Sequence, residues 1–373
     1  MKSLQIHAAL VVVALAVLAH RADAYPQYQV GRDVTCTGCH VSPAGGGALN
    51  ENGIAVAETT AWRGGDGSFM YGWKTPSWLA LDGDMRGAAG YVNPGVSTAA
   101  AYPMQAEVGA IVKAGAGFSI RAVGGLRSPQ DGGSIAHVLW SREHYVMWQQ
   151  NPDSSEGFYV RAGRFMPTFG LRLAEHIVYT QRFGGDPLYF EAYGLNASYI
   201  SKAFEVHATG FVHDPIATVA EHGDGGALYA EARIGEHAAI GIEGKHSVSD
   251  ETTMSYGGMT GKVYLPGPDL QFQAEGEVIR KDITAGAGDI AIQLAGYLMA
   301  SKPLDHGLML DIGVGHFTQD TRVKGLYRDA IDANLHWFMT SHVEWLLTTR
   351  IELLDGAGGP NGGYALAQLH YRL

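Results

Sequence analysis

The chain has 373 residues, 46% of them hydrophobic and only 17% charged, with 51 glycines and a formal net charge of −11. That acidic balance argues against nucleic acid as a partner. Beyond the first 24 residues no run approaches the roughly 18 consecutive apolar positions of a membrane-spanning helix, so any passage through a bilayer must be made by a barrel.

The first element is a basic start at Lys2, an unbroken apolar run from Ala8 to Ala19, and the small-x-small triplet Ala22-Asp23-Ala24. This is the pattern of a secretory signal peptide over residues 1–24, with cleavage expected before Tyr25. Because Tyr25 is not a cysteine, the lipoprotein arrangement is not expected.

Next comes CTGCH at residues 36–40, where Cys36 and Cys39 are the only cysteines of the chain. A C-x-x-C disulfide closes a tiny loop and is usually redox-active rather than structural, but a thioredoxin-like site needs a βαβ setting that is missing around it. Zinc wants four N/S ligands, and Cys36, Cys39 and His40 supply three, with no second cysteine pair or paired histidines nearby. The reading that remains is c-type haem attachment: two thiols for the vinyl groups, and the adjacent His40 imidazole as proximal iron ligand. Around the motif, residues 25–75 are rich in Gly, Pro, Asn and Ser, with a single short apolar stretch from Ile54 to Ala61. Such a haem-binding segment cannot wrap its cofactor as a free-standing domain, so the haem must find walls elsewhere.

From Trp78 the hydrophobic period becomes two and stays so to Leu373. Leu270, Phe272, Ala274, Gly276 and Val278, for example, alternate with Gln271, Gln273, Glu275 and Glu277. The pattern predicts sixteen strands, at 77–91, 102–113, 116–127, 137–148, 157–166, 188–201, 203–213, 226–235, 237–247, 252–264, 268–280, 290–301, 306–317, 326–338, 342–354 and 363–373. Their connections mostly alternate long and short, with 92–101 among the long ones. "SVSDE" is short for its class and "QQNPDSSEG" long for its own. An even count with this alternation is the outer-membrane pattern, long loops outside and short turns in the periplasm. The expected fold is all-β: a transmembrane β-barrel of about sixteen antiparallel strands over residues 76–373, with a short N-terminal haem-binding plug segment. Leu373 stands where such barrels usually end on an aromatic residue, with Tyr371 two positions earlier. The longest connection, Pro167 to Pro187, carries Arg172, Glu175, His176 and Arg182. It resembles the third loop that folds into the lumen of sixteen-stranded porins.

A signal peptide, one c-type haem motif and a sixteen-strand barrel together resemble the fused cytochrome–porin family of the bacterial outer membrane. That resemblance implies oxidation of extracellular Fe(II), with electrons passed inward through one covalent haem c to a periplasmic c-type cytochrome. It rests on Cys36, Cys39 and His40. The motif supports electron transfer more strongly than it supports iron as the substrate, and an extracellular metal ion or surface redox protein could stand at the outer end. The alternative is a diffusion porin whose haem segment is a periplasmic sensor or docking handle. For the sixth iron position the candidates are Met70 and the lumen-facing His370, with His336 and His207 also on polar faces. Inward-facing carboxylates are expected at Glu107, Glu205, Glu231, Glu243, Glu275, Glu277, Glu344 and Glu352, paired with Arg86, Arg121, Arg161, Arg233, Lys245 and Arg350. No G-x-S-x-G or H-E-x-x-H occurs, so no hydrolase site is indicated.

Overall fold

A computed structural model describes residues 35–93, 98–127, 139–173, 177–185, 187, 190–214, 223–283, 289–355 and 362–373. The signal peptide, Tyr25, Glu175 and His176 lie outside the described residues.

Sixteen strands form one closed barrel: β1 Leu79–Asn93, β2 Thr98–Gly115, β3 Phe118–Arg127, β4 Leu139–Gln149, β5 Gly157–Phe165, β6 Ala192–Ile200, β7 Phe204–Val212, β8 Asp224–Ile234, β9 Ala238–Val248, β10 Thr252–Leu265, β11 Leu270–Ile283, β12 Ile290–Asp305, β13 Leu308–Thr318, β14 Tyr327–Thr340, β15 Val343–Asp355 and β16 Gly362–Arg372. Each pairs antiparallel with the next, and β16 closes on β1 with Tyr371 opposite Met85. Closure leaves no strand edge unpaired, which a bilayer demands. The faces are inverted relative to a water-soluble sandwich. Val278 is 53% exposed while its neighbour Glu277 is 3% exposed. Leu195, Ile242, Met259, Leu298, Val314 and Leu347 repeat this outward apolar display around the wall. At the short-turn end it is rimmed by exposed aromatics, among them Phe118, Phe158, Phe204, Trp337 and Trp345. An apolar band with an aromatic girdle is the outer surface of a barrel solvated by lipid.

The predicted 92–101 loop shrinks to residues 94–97, because β2 continues the β1 ladder as far as Thr98 opposite Val92. Pro103 lies within the predicted strand 102–113. It is accommodated at a register shift between Arg86 and Gly87, where a ladder position without an N–H is tolerated.

Four short helices complete the described elements: α1 Cys36–Cys39, α2 Glu51–Thr60, α3 Phe69–Gly72, and α4 Tyr179–Arg182 within the β5–β6 loop. The segment 35–78 crosses the short-turn mouth. One end is tied to the β4–β5 turn, where the Thr37 hydroxyl donates to the Ser155 carbonyl at 2.7 Å. The other end is tied to two distant turns. Trp62 N donates to Phe338 O at 2.8 Å, His306 Nε2 to Ala61 O at 2.9 Å, and His342 Nε2 to Asp66 O at 2.7 Å. In a sixteen-strand ring the β4–β5 and β12–β13 turns lie on opposite sides, so the segment spans the mouth.

Candidate functional site

Within α1 the C-x-x-C spacing sets both cysteines on one helical turn, and both are buried and not joined in a disulfide. The turn closes where His40 N donates to Cys36 O at 2.8 Å, and His40 then leaves in extended geometry to bridge Leu49. Between these two residues the chain reverses through Gly45, Gly46 and Gly47, all at positive φ, a conformation glycine adopts without steric cost. Asn50 organises the return. Its side chain caps α2 by accepting from Gly53 N at 2.9 Å, and its Nδ2 donates to Thr37 O at 2.8 Å. Asn52 Nδ2 adds a bond to Gly38 O at 2.8 Å. Gly53 lies so close to the motif that a Cβ there would run into the Cys39 carbonyl oxygen. Gly53→Ala should therefore push α2 off the motif, at the roughly 1–3 kcal/mol typical of overpacking. Limited proteolysis should cut the variant faster within residues 35–60, while the barrel remains resistant.

The motif is seated inside the barrel. Val41 packs on Tyr145, Met147, Tyr159, Phe165 and Ile200, the inward side chains of β4, β5 and β6. Arg161 Nη1 donates to Ser42 Oγ at 3.2 Å, and its guanidinium lies 4.4 Å from the Phe165 ring centre. This arginine is 1% exposed, has no carboxylate in ion-pair contact among the described residues, and its Nε has no hydrogen-bond partner. A second guanidinium, Arg172 of the β5–β6 loop, faces Cys36 and holds Glu205 Oε1 at 2.7 Å, while its Nε and Nη1 have no partner. Buried cationic donors left unsatisfied are costly and point to a missing acceptor.

His40 Nδ1 is likewise buried without a partner. Desolvation, helped by the positive charge of Arg372, pushes the imidazole down to about 4, so at neutral pH the ring is neutral, the form that ligates metal. Met70 is 48% exposed on a left-handed turn, next to the Tyr71 that stacks on His342, and so stands out at the mouth. His370 has both ring nitrogens on carboxylates, Nδ1 to Glu344 at 3.1 Å and Nε2 to Asp84 at 2.7 Å. His336 is engaged in the same way by Glu344 and Asp311. These contacts form one row across β13, β14, β15, β16 and β1, on the lumen face near the mouth. His207 is fully buried, with Nδ1 2.8 Å from Ser198 Oγ.

The expected inward carboxylates and cations do face the lumen, but their pairing differs from the expected one: Arg350 holds the expected Glu352 at 3.1 Å, whereas Arg86 is held by Asp84 at 3.0 Å and Glu107 by Arg142 at 3.2 Å. The β5–β6 loop lies inside as well. Tyr179 is fully buried against Met254, Ile279 and Phe317, and Leu171 N donates to Glu275 Oε1 at 3.1 Å. Together the segment and the loop fill much of the interior. Asn196, His207, Tyr229, Gln271 and Asp311, all on the inner wall, are at most 1% exposed.

No protein-family profile matches the chain, and no curated protein matches it. Solved structures do. OmpT, an outer membrane protein of Vibrio cholerae, superposes with a TM-score of 0.61 at 12% identity, covering 79% of this chain and 99% of that one. The fold is that of the porins. The anion-selective porin from Comamonas acidovorans agrees, with a TM-score of 0.57 at 12% identity and coverage of 79% and 99%. So does OmpF of Salmonella typhi, solved with daunomycin, at 0.60, 12%, 79% and 97%. The porin-type barrel from Leu79 onward makes up about four-fifths of the chain, enough to fill the covered share. Sequence reasoning missed Ser42, Ser155, Arg161 and Arg172 as neighbours of the motif. The one signal it held was the overlong "QQNPDSSEG" turn, which is long because it reaches Thr37.

Proposed function

We propose that this porin-type barrel is an electron-transfer protein of the outer membrane, carrying one covalent haem c on the segment lodged in its lumen. The observation that carries this reading is the placement of the CTGCH turn: inside the wall, against β4, β5 and the β5–β6 loop, rather than below the mouth. The residues present fit the group. Cys36 and Cys39 are on one turn and not joined in a disulfide, His40 offers a neutral imidazole, and the unsatisfied donors of Arg161 and Arg172 suit a haem's propionate carboxylates. When bound, haem supplies one-electron redox chemistry at its iron. This chain's residues hold the attachment turn in a desolvated site and keep two guanidiniums beside it. On the motif's other flank α2 packs against it, through Asn50 on Thr37 O, Asn52 on Gly38 O and the close approach of Gly53 to Cys39.

The apolar band of such a barrel is about 25 Å tall, so one haem cannot carry charge across unaided. A periplasmic c-type cytochrome is the partner below, and an extracellular metal ion such as Fe(II), or another external redox partner, stands above. The second reading, a diffusion porin with a haem sensor or docking segment, is favoured by the fold likeness alone. Against it stands the burial of Asn196, His207, Tyr229, Gln271 and Asp311 on the inner wall, although Arg86 and Arg142 on the same face keep 30% and 39% of their side chains exposed. Reconstitution into liposomes holding a reducible dye separates the two. Fe(II) added outside should reduce the haem and then the dye, read from their absorbance. Solute leakage with the haem still oxidised would refute electron transfer and support the porin.

A further inference from the structure

We propose that Glu243, Glu275 and Glu277 form a binding site for one hard divalent cation on the inner wall, beneath the β5–β6 loop, with the Thr180 hydroxyl as a further oxygen donor. One oxygen from each of the three carboxylates lies within 4.8 Å of the others, and all three residues are buried. The sheet register makes the cluster. Glu243 of β9 and Glu277 of β11 both stand opposite Gly258 of the intervening β10, and Glu275 is one inward position away on β11. A Cβ at Gly258 would run into Glu243 Oε1, so the glycine keeps the space between the carboxylates open.

The loop closes the other side. Leu171 N donates to Glu275 Oε1 at 3.1 Å and Gly185 N to Glu277 Oε2 at 2.9 Å. Gly170 and Gly184 approach so closely that a side chain at either would strike Glu275 or Glu277. Two further observations point to a ligand. Thr180 on α4 is 1% exposed, and its hydroxyl points at Glu275 without reaching that carboxylate or any other partner at good hydrogen-bond geometry. Glu277 Oε1, on a residue 3% exposed, has none either.

Three carboxylates at this spacing in a dry site cannot all remain ionised without a cation between them. Two lysines place their charge toward the cluster, Lys262 acting on Glu275 while it sits 2.7 Å from Glu231, and Lys245 acting on Glu277 while it donates to Gly185 O at 2.6 Å with Phe190 beneath it, so four carboxylates share two ammonium groups. An all-oxygen set without sulfur or imidazole suits Ca²⁺, Mg²⁺ or Mn²⁺ over the softer transition metals. The site does not depend on the haem. It fastens the loop to the wall, so a cation there would hold the β5–β6 loop in the lumen.

The probe is Mn²⁺, added to the full-length protein in detergent after chelation and followed by electron paramagnetic resonance and equilibrium dialysis. One Mn²⁺ per chain is expected, displaced by Ca²⁺. Affinity should fall at least tenfold in Glu277→Gln, and also in Gly258→Ala, which intrudes on Glu243 without removing a carboxylate. The exposed-surface variant Arg280→Gln should bind as the parent does. Heat-modifiable gel mobility identifies which variants have closed barrels, and the parent protein alone suffices if neither site variant folds. No saturable Mn²⁺ on folded parent protein, together with a protonated-carboxyl infrared band, would overturn the proposal in favour of shared protons. Binding that survives both site variants would also overturn it.

Discussion

Replacing both cysteines, Cys36→Ala with Cys39→Ala, should eliminate covalent haem while leaving a barrel that still closes. In-gel haem staining after denaturation should show a band for the parent chain and none for the double variant, with haem content measured as the pyridine haemochrome. The loss should be complete, because no other thiol exists in the chain. Closure should survive because the sixteen-strand ladder is continuous without the segment, and no strand pairs with residues 36–40. A parent chain without haem would refute the attachment reading outright. Single substitutions should leave the haem held by one thioether, with reduced staining.

Removing residues 35–72 should produce the other large effect. With the segment in place, the periplasmic mouth is crossed from the β4–β5 turn to the β12–β13 and β14–β15 turns. Without it, a sixteen-strand barrel has the girth of an aqueous channel, and small-sugar uptake in a liposome-swelling assay should rise on the order of tenfold. The remaining barrier would be the β5–β6 loop, held by Glu275 and Glu277. If the intact protein already swells liposomes at the rate of the deletion variant, the segment does not occlude the lumen. Heat-modifiable mobility again confirms that the shortened chain has folded.

The barrel could be read from the sequence because lipid imposes a simple rule. One face of each strand must be apolar, and a period of two records it residue by residue, as Gln271 to Val278 shows. Strand ends were less legible, since a ladder can run on through residues of poor strand propensity. Thr98 to Pro103 does so because β1 offers it partners. The attachment reading of the motif rests on three residues, and their surroundings were not legible. Arg161 and Ser42 are far apart in sequence and meet only because the segment threads into the lumen. The same holds for His370. Its polar face was evident from alternation, but its engagement by Asp84 and Glu344 depends on β16 closing against β1 and β15.

The anchoring of the plug also sets a timetable for assembly. Asp66 is held by His342, which follows it by 276 positions, and Thr37 by Ser155, which follows by 118. The segment is therefore made first and seated last, since its berth does not exist until β15 has joined β14. Contacts of such long range form late and slowly. A haem joined to Cys36 and Cys39 before that moment would travel as cargo on an unfolded leader until the closing barrel could receive it.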